Sequence, residues 1–520
     1  MSQTTRAGLA AALLGLALGC LALGPGLGWG FVLLHDMVFV PDPAFSAWTF
    51  GLAGGAARVV PSDAVVTALA QVLPAELVQK LILLGIFVLG CAGAALLPPS
   101  ASLGPRLVTG AFYVWNPYVA ERLLIGQWAL LLGYAGLPWV VRAVWSGRRR
   151  AVAILPAAVG GFAAMTVTAL TALPLALARR GWRELIVTAG VLAAFSLPWL
   201  AATALRPVGL AGDPVGIEAF AARADTPFGA VGSLLSLGGI WNARAVPPGY
   251  ETWAGAVARL LLVVAGVVAF LRSELPFRRG LAGAAVVGLA VACVGVSEPG
   301  RVAYEQVVGR WGGFAVFRDA QQFIAPLALV AVLGLGALTE RVTGRVTGRV
   351  AGRRAWVGAM ALVPVAVLPT LSWGALGTLD AVAYPSSWTA ARAVIARDPE
   401  PGDVLVLPFE SYRRFPWNGG RPVLDPAQRF FAVPGRRVVT NDAVRVGELV
   451  VKSEDPRAGE LEHVLGGPSP DLPGAGIRYV IVNAGTVEER ARFAVWLRRA
   501  HVLVHDRDLR LYRVDGPVSH

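Results

Sequence analysis

Apolar stretches recur across residues 8–375, each close to the roughly 20 residues that an α-helix needs to cross a hydrocarbon core about 30 Å thick. Within lipid every backbone amide must find its partner inside its own segment, so such runs fold as helices. Charged residues make up only 15% of the chain, against about 25% in a soluble domain. The expected fold is therefore a polytopic α-helical membrane protein. Spans are expected at 8–29, 78–97, 104–119, 124–145, 184–204, 253–271, 281–297, 321–339 and 355–375. Residues 151–178 are apolar but carry Arg148-Arg149-Arg150 before them and Arg179, Arg180 and Arg183 after. One helix would put a basic cluster on each side of the membrane. A tight hairpin of two short spans, breaking near Gly160-Gly161 or Thr166, keeps both on one side, and brings the count to about eleven.

The formal net charge of +13 does not mark a nucleic-acid binder. Residues 376–520 hold 19 basic and 18 acidic side chains, so the excess sits in 1–375, between the spans. There it orients the protein by the positive-inside rule, whereas a nucleic-acid footprint needs a basic face on the soluble part. With an odd number of spans the N-terminus lies in the cytoplasm and residues 376–520 lie outside. The loops 30–77, 205–252 and 298–320 then face outward too, in a multi-pass plasma-membrane protein.

Two domains follow: a multi-span domain over 1–375 and an extracytoplasmic α/β domain over 376–520. In the latter, Val404–Leu407, Arg437–Thr440 and Tyr479–Val482 are β-branched runs bounded by Gly, Pro or Asp. Residues 487–499 have helical apolar spacing, and 501–504 with 510–514 read as a hairpin around Asp506-Arg507-Asp508. In the first loop an amphipathic helix is expected over 63–74, N-capped by Ser62 or Asp63. The cysteines Cys20, Cys91 and Cys293 all lie in apolar runs, so no disulfide or zinc framework is available in the C-terminal domain.

Three polar clusters interrupt the apolar pattern, all expected on the outer side. The first is His35-Asp36, directly after the first span and flanked by Leu34, Met37, Val38 and Phe39. A carboxylate kept among such neighbours costs solvation energy unless it is paired or used. Beside an imidazole it suits a general base; the plainer alternative is a helix cap or a partner for an arginine. The second cluster links two spans: Trp115, Asn116, Glu121, Arg122, Gln127 and Trp128. Aromatic platforms and amides suit a sugar and Arg122 suits a phosphate, while an aromatic belt with a Glu121–Arg122 pair is the structural alternative. The third is Val316-Phe317-Arg318-Asp319-Ala320-Gln321-Gln322 at the mouth of a span, where Arg318, Asp319 and Gln322 are the binding candidates. The chain has no phosphate-binding G-x-x-x-x-G-K-[ST], no G-x-S-x-G and no H-E-x-x-H. Few charges lie mid-span, which argues against an ion-coupled transporter.

Together these features resemble the polyprenyl-phosphate-sugar-dependent membrane glycosyltransferases of the C-type (GT-C) fold. Within that class the chain looks most like actinobacterial arabinofuranosyltransferase- and mannosyltransferase-like integral membrane proteins, on Asn116-Pro117-Tyr118-Val119 and Pro138-Trp139. The resemblance implies an acidic base in the first outer loop, matched by Asp36. It implies inverting transfer from a polyprenyl-phosphate sugar to a cell-envelope polysaccharide or glycolipid. Arg122 and Arg318 would meet the phosphate, with His35, Trp115, Asn116, Glu121, Gln127, Trp128, Asp319 and Gln322 around the substrate. Many such enzymes carry two adjacent acids where this chain has His35-Asp36; a divalent cation is the one cofactor left open. The departure favours, as one alternative, an inactive assembly or binding partner; a lipid or solute transporter is the other alternative. The segment Phe415-Pro416-Trp417-Asn418 is a candidate sugar-binding loop, or equally an aromatic patch that docks the domain onto the membrane core.

Overall fold

The computed structural model describes residues 3–98, 102–206, 213–310, 317–345 and 350–514. Val316, in the third polar cluster, lies outside the described residues. The chain forms two compact units. One comprises Met1–Leu27, Lys80–Leu200 and Gly216–Leu379; the other comprises Gly28–Gln79, Ala201–Val215 and Asp380–His520. The first loop, expected to belong with the spans, thus shares a unit with the C-terminal residues.

The first unit is helical. Among the described residues, seven helices are long and apolar enough to cross a membrane, and nine if two bent pairs each count as one span. Two places account for the difference from eleven. Leu103–Val114 is only 12 residues long and breaks at Trp115 before a second short helix, Pro117–Leu124. The other place is Arg150–Arg180, a single 31-residue element interrupted at Gly161, whose φ of 74° and ψ of −151° are not helical. A straight helix of that length would be about 45 Å long. Instead Arg150 and Arg179 both pair with Glu184, so the chain doubles back at Gly161. A glycine is needed there because a side chain is strained at such a φ. The basic clusters meet at one carboxylate, which is the charge logic that favoured a hairpin. Elsewhere helices approach backbone to backbone: a Cβ on Gly334 would lie 1.7 Å from the carbonyl oxygen of Gly266, locking Trp253–Leu271 against Ala325–Arg345. Small residues of this kind replace the hydrophobic effect as the packing device where the solvent is lipid.

The second unit is built on a five-stranded mixed sheet, in the order His501–His505, Arg510–Arg513, Ile477–Val482, Asp403–Leu407, Val438–Val439. The first two pairings are antiparallel and the last two parallel. Leu405, Val439, Val480 and Ile477 bury their side chains against Leu461 of helix Pro456–Leu465 and Phe493 of helix Val487–Trp496. Thr486 and Glu489 close a capping box at the start of the latter helix. The first loop enters the unit as a strand, Phe31–Val32, paired antiparallel with Ala381–Val382. Gln79 clamps that strand from the side, donating to the Val32 carbonyl and accepting from its amide, both at 2.9 Å.

Two local expectations are corrected here. The helix of the first loop runs Ser62–Ala70, and neither Ser62 nor Asp63 caps it; the N-cap is Pro61, without a side-chain bond. Asp63 pairs with Arg429 at 2.8 Å and the Ser62 hydroxyl bonds the Val59 carbonyl, so a distant arginine outcompetes the local cap. The segment Phe415-Pro416-Trp417-Asn418 is no open sugar loop. Phe415 and Trp417 stack on one another within a cluster with Trp388, and Asn418, fully buried, donates to the carbonyls of Leu33 and Arg421.

Candidate functional site

His35 and Asp36 lie in the second unit, in a turn closed by reciprocal backbone bonds between Leu34 and Met37. His35 has a φ of 47°, a left-handed conformation that costs a non-glycine residue about 1 kcal/mol or more. Two backbone bonds enforce it: the His35 amide donates to the Pro422 carbonyl at 2.7 Å and its carbonyl accepts from Leu424 at 2.8 Å. The turn is thereby fastened to the hairpin of strands Tyr412–Arg414 and Pro422–Leu424. Leu34, Met37, Val38 and Phe39 are buried around it, while Asp36 stays half-buried. The Tyr412 hydroxyl donates a short hydrogen bond to Asp36 Oδ1, and the Tyr412 ring meets the His35 ring edge-on, centroids 6.2 Å apart. Burial first, and then the Asp36 charge, push the Tyr412 phenol well above its ordinary pKa, so it remains a donor.

The remaining candidates lie in the first unit. Two of them are structural. Asn116 caps the helix Pro117–Leu124 by accepting from the Val119 amide at 3.1 Å. Its amide group donates to Phe112, Tyr113 and Tyr134, so both ends are used. Trp115 is buried and donates to the Leu368 carbonyl at 3.1 Å. Trp128 is buried at the start of the helix Trp128–Ser146. Gln322 contributes its carbonyl, which accepts from the Tyr118 hydroxyl at 2.9 Å. Arg318 lies over the Phe220 ring, 4.9 Å from its centroid.

Gln127 and Asp319, from separate clusters in the sequence, meet directly: Gln127 Nε2 donates to Asp319 Oδ2 at 2.9 Å. Gln321 donates to the other carboxylate oxygen. Glu121 and Arg122 are fully buried, yet their closest approach is only 3.8 Å, because adjacent residues on a helix point to different faces. Arg122 lies over the Tyr118 ring at 4.9 Å, and none of its three guanidinium nitrogens has a hydrogen-bond partner among the described residues. On the other face, a Cβ placed on Gly238 would lie 2.5 Å from Asp225 Oδ2, 2.6 Å from Glu121 Oε1 and 2.9 Å from the Tyr250 hydroxyl. Three oxygens thus converge in a space only glycine leaves open. Burial, then the facing Asp225, raise Glu121 well above the ordinary carboxylate range.

Tyr412, Asp225, Tyr250 and Gln321 were not singled out in the sequence. The local signal for the Asp225 and Tyr250 cluster is the pair Gly238-Gly239. Among the described residues no three His, Cys, Asp or Glu side chains gather to hold a metal ion. Asp36, with its Oδ1 engaged by Tyr412, is a poor core for one, so the donor set does not fit the divalent cation left open above.

A family model described as the N-terminal GT-C domain of alpha-(1->3)-arabinofuranosyltransferase matches residues 250–490. The cryo-EM structure of the arabinofuranosyltransferase AftD from mycobacteria superposes on 99% of this chain with a TM-score of 0.61, at 17% sequence identity. The chain has a GT-C-like fold. It spans 42% of the length of that relative. No curated protein sequence matches. The matched residues 250–490 include Arg318, Asp319, Gln322 and Tyr412, but not Asp36 or the residues 115–128.

Proposed function

We propose that this chain is a membrane glycosyltransferase that moves a sugar, by likeness an arabinofuranosyl unit, from a polyprenyl-phosphate donor to a cell-envelope glycan. The observation that carries this reading is a half-buried carboxylate, Asp36, held in an enforced turn of a GT-C-like fold. Asp36 takes the proton of the acceptor hydroxyl as that oxygen attacks the anomeric carbon. The bond from that carbon to the phosphate oxygen breaks, and the polyprenyl phosphate leaves with the electron pair, already a stable anion that needs no general acid. A single displacement of this kind inverts the anomeric centre. In the first unit Arg122, none of whose guanidinium nitrogens has a hydrogen-bond partner among the described residues, and Arg318 are the cations suited to a phosphate. The cytoplasmic N-terminus and outer C-terminal residues belong to the same proposal, and rest on the charge distribution.

The test is envelope glycan linkage analysis of a deletion strain complemented with wild type or with Asp36→Asn at equal expression. The expected result is a linkage restored by the wild type alone. Restoration by both would remove Asp36 from the mechanism, and no change on deletion would favour the assembly-partner reading that the single acid in His35-Asp36 also allows.

A further inference from the structure

The hairpin that carries Tyr412 is anchored from its opposite face. Along a strand, successive side chains alternate, so Arg413 points away from Tyr412 and into the interior of the second unit. There it is fully buried, bonded to the Pro408 carbonyl, to Asn483 Oδ1 at 2.7 Å and to Asp425 at 3.4 Å. Asp425 in turn accepts from the Ala427 amide at 2.8 Å. On the partner strand, Pro422 and Leu424 hold the backbone of His35. Both strands of one hairpin therefore grip the same turn, one through backbone and one through a side chain.

We infer that Tyr412 is a positioning residue for Asp36, so that the C-terminal part of the chain completes the catalytic base and does not merely receive the acceptor. The inference rests on the reading of Asp36 as the base. A hydrogen-bond donor fixed on Oδ1 sets the orientation in which the carboxylate meets the acceptor hydroxyl and favours its charged form. Tyr412 suits this role because its ring is fixed against His35 and its hydroxyl keeps its proton. The titratable groups whose charge or ring reaches Tyr412 among the described residues are Asp36, His35 and Arg58.

The experiment compares wild type, Tyr412→Phe and Asp36→Asn as purified full-length chains. The donor is a short-chain polyprenyl-phosphoryl arabinofuranose, and an arabinofuranosyl oligosaccharide serves as acceptor. Tyr412→Phe keeps the ring and removes only the donor. The expected result is a kcat about tenfold lower or more, with KM unchanged. In addition, the acid limb of the kcat profile should move up by about one pH unit, because a carboxylate that loses a hydrogen-bond donor binds its proton more tightly. The limb's position does not depend on how much of the sample is folded, so it still reports on the base if the variant is unstable. An inactive Asp36→Asn beside a Tyr412→Phe with wild-type kcat and limb would overturn the positioning role and leave the base assignment standing. An active Asp36→Asn would overturn both.

Discussion

Replacing Glu121 by glutamine separates two accounts of the buried cluster in the helical unit. Suppose Glu121 is ionised and neutralises Arg122. Then Glu121→Gln strands a buried guanidinium, a loss of about 3–5 kcal/mol. Suppose instead that Glu121 is protonated toward Asp225, as its full burial and the 3.8 Å gap to Arg122 indicate. Then the glutamine amide replaces the acid hydroxyl as donor, the shape is kept, and the cost stays within about 1 kcal/mol. Glu121→Ala costs more under either account, about 2–4 kcal/mol, since it opens a cavity. The sign of the pH dependence follows. A carboxyl whose pKa is raised on folding binds more protons folded than unfolded, so its stabilisation is fully present below the unfolded value of about 4.3 and fades as pH rises through the folded one. Glu121→Gln removes that slope. The assay is thermal unfolding of the full chain in detergent across pH, followed by tryptophan fluorescence. A Glu121→Gln variant as unstable as Glu121→Ala, with the pH slope unchanged, would refute the shared proton.

Two further variants probe the second unit by the same assay. Arg413→Met leaves Asp425 buried without its cation, and burial already raises the Asp425 pKa against the pull of Arg413. A loss of about 3–5 kcal/mol is expected, with much of it recovered by Asp425→Asn in the same chain; no recovery would mean that Arg413 acts through packing alone. Thr486→Ala removes the acceptor for the Glu489 amide, 3.2 Å away, and half the capping box. It should cost about 1 kcal/mol and leave transfer activity unchanged, and a loss of activity would show that the helix Val487–Trp496 does more than pack.

Much of the architecture is written in local pattern. The β-branched runs at 404–407 and 479–482 become neighbouring parallel strands, and the pair around Asp506–Asp508 becomes a hairpin, because strand propensity and turn residues act within a few positions. Asn116-Pro117, which the expected span over 104–119 ran through, instead opens the helix Pro117–Leu124, with Asn116 as its N-cap and proline at the first position. The basic clusters around 151–178 implied a reversal, and Gly161 supplies it. What local pattern withholds is direction around the helix axis. Glu121 and Arg122 look like a pair when written side by side, yet about 100° separates them on the helix, and each addresses a different set of partners.

The same limit is sharper at the turn that holds Asp36. Asp36 is conspicuous as an acid in an apolar run, but the sequence says nothing of what holds it, because Tyr412 lies 376 residues away. An aromatic in a turn reads alike whether it faces water or covers another segment; Trp417 proved to be the latter, packed on Tyr384 and Trp388 beside the Asn418 that binds Leu33. The bonds of Tyr412 to Asp36 and of Asn418 to Leu33 tie the residues just after the first apolar helix to the fold after residue 380. The His35 conformation shows that the tie is mechanical, since a strained φ persists only where its surroundings enforce it, and here the enforcing atoms belong to Pro422 and Leu424. A chain cut before the sheet would therefore lose the geometry of its acid even with every apolar helix intact.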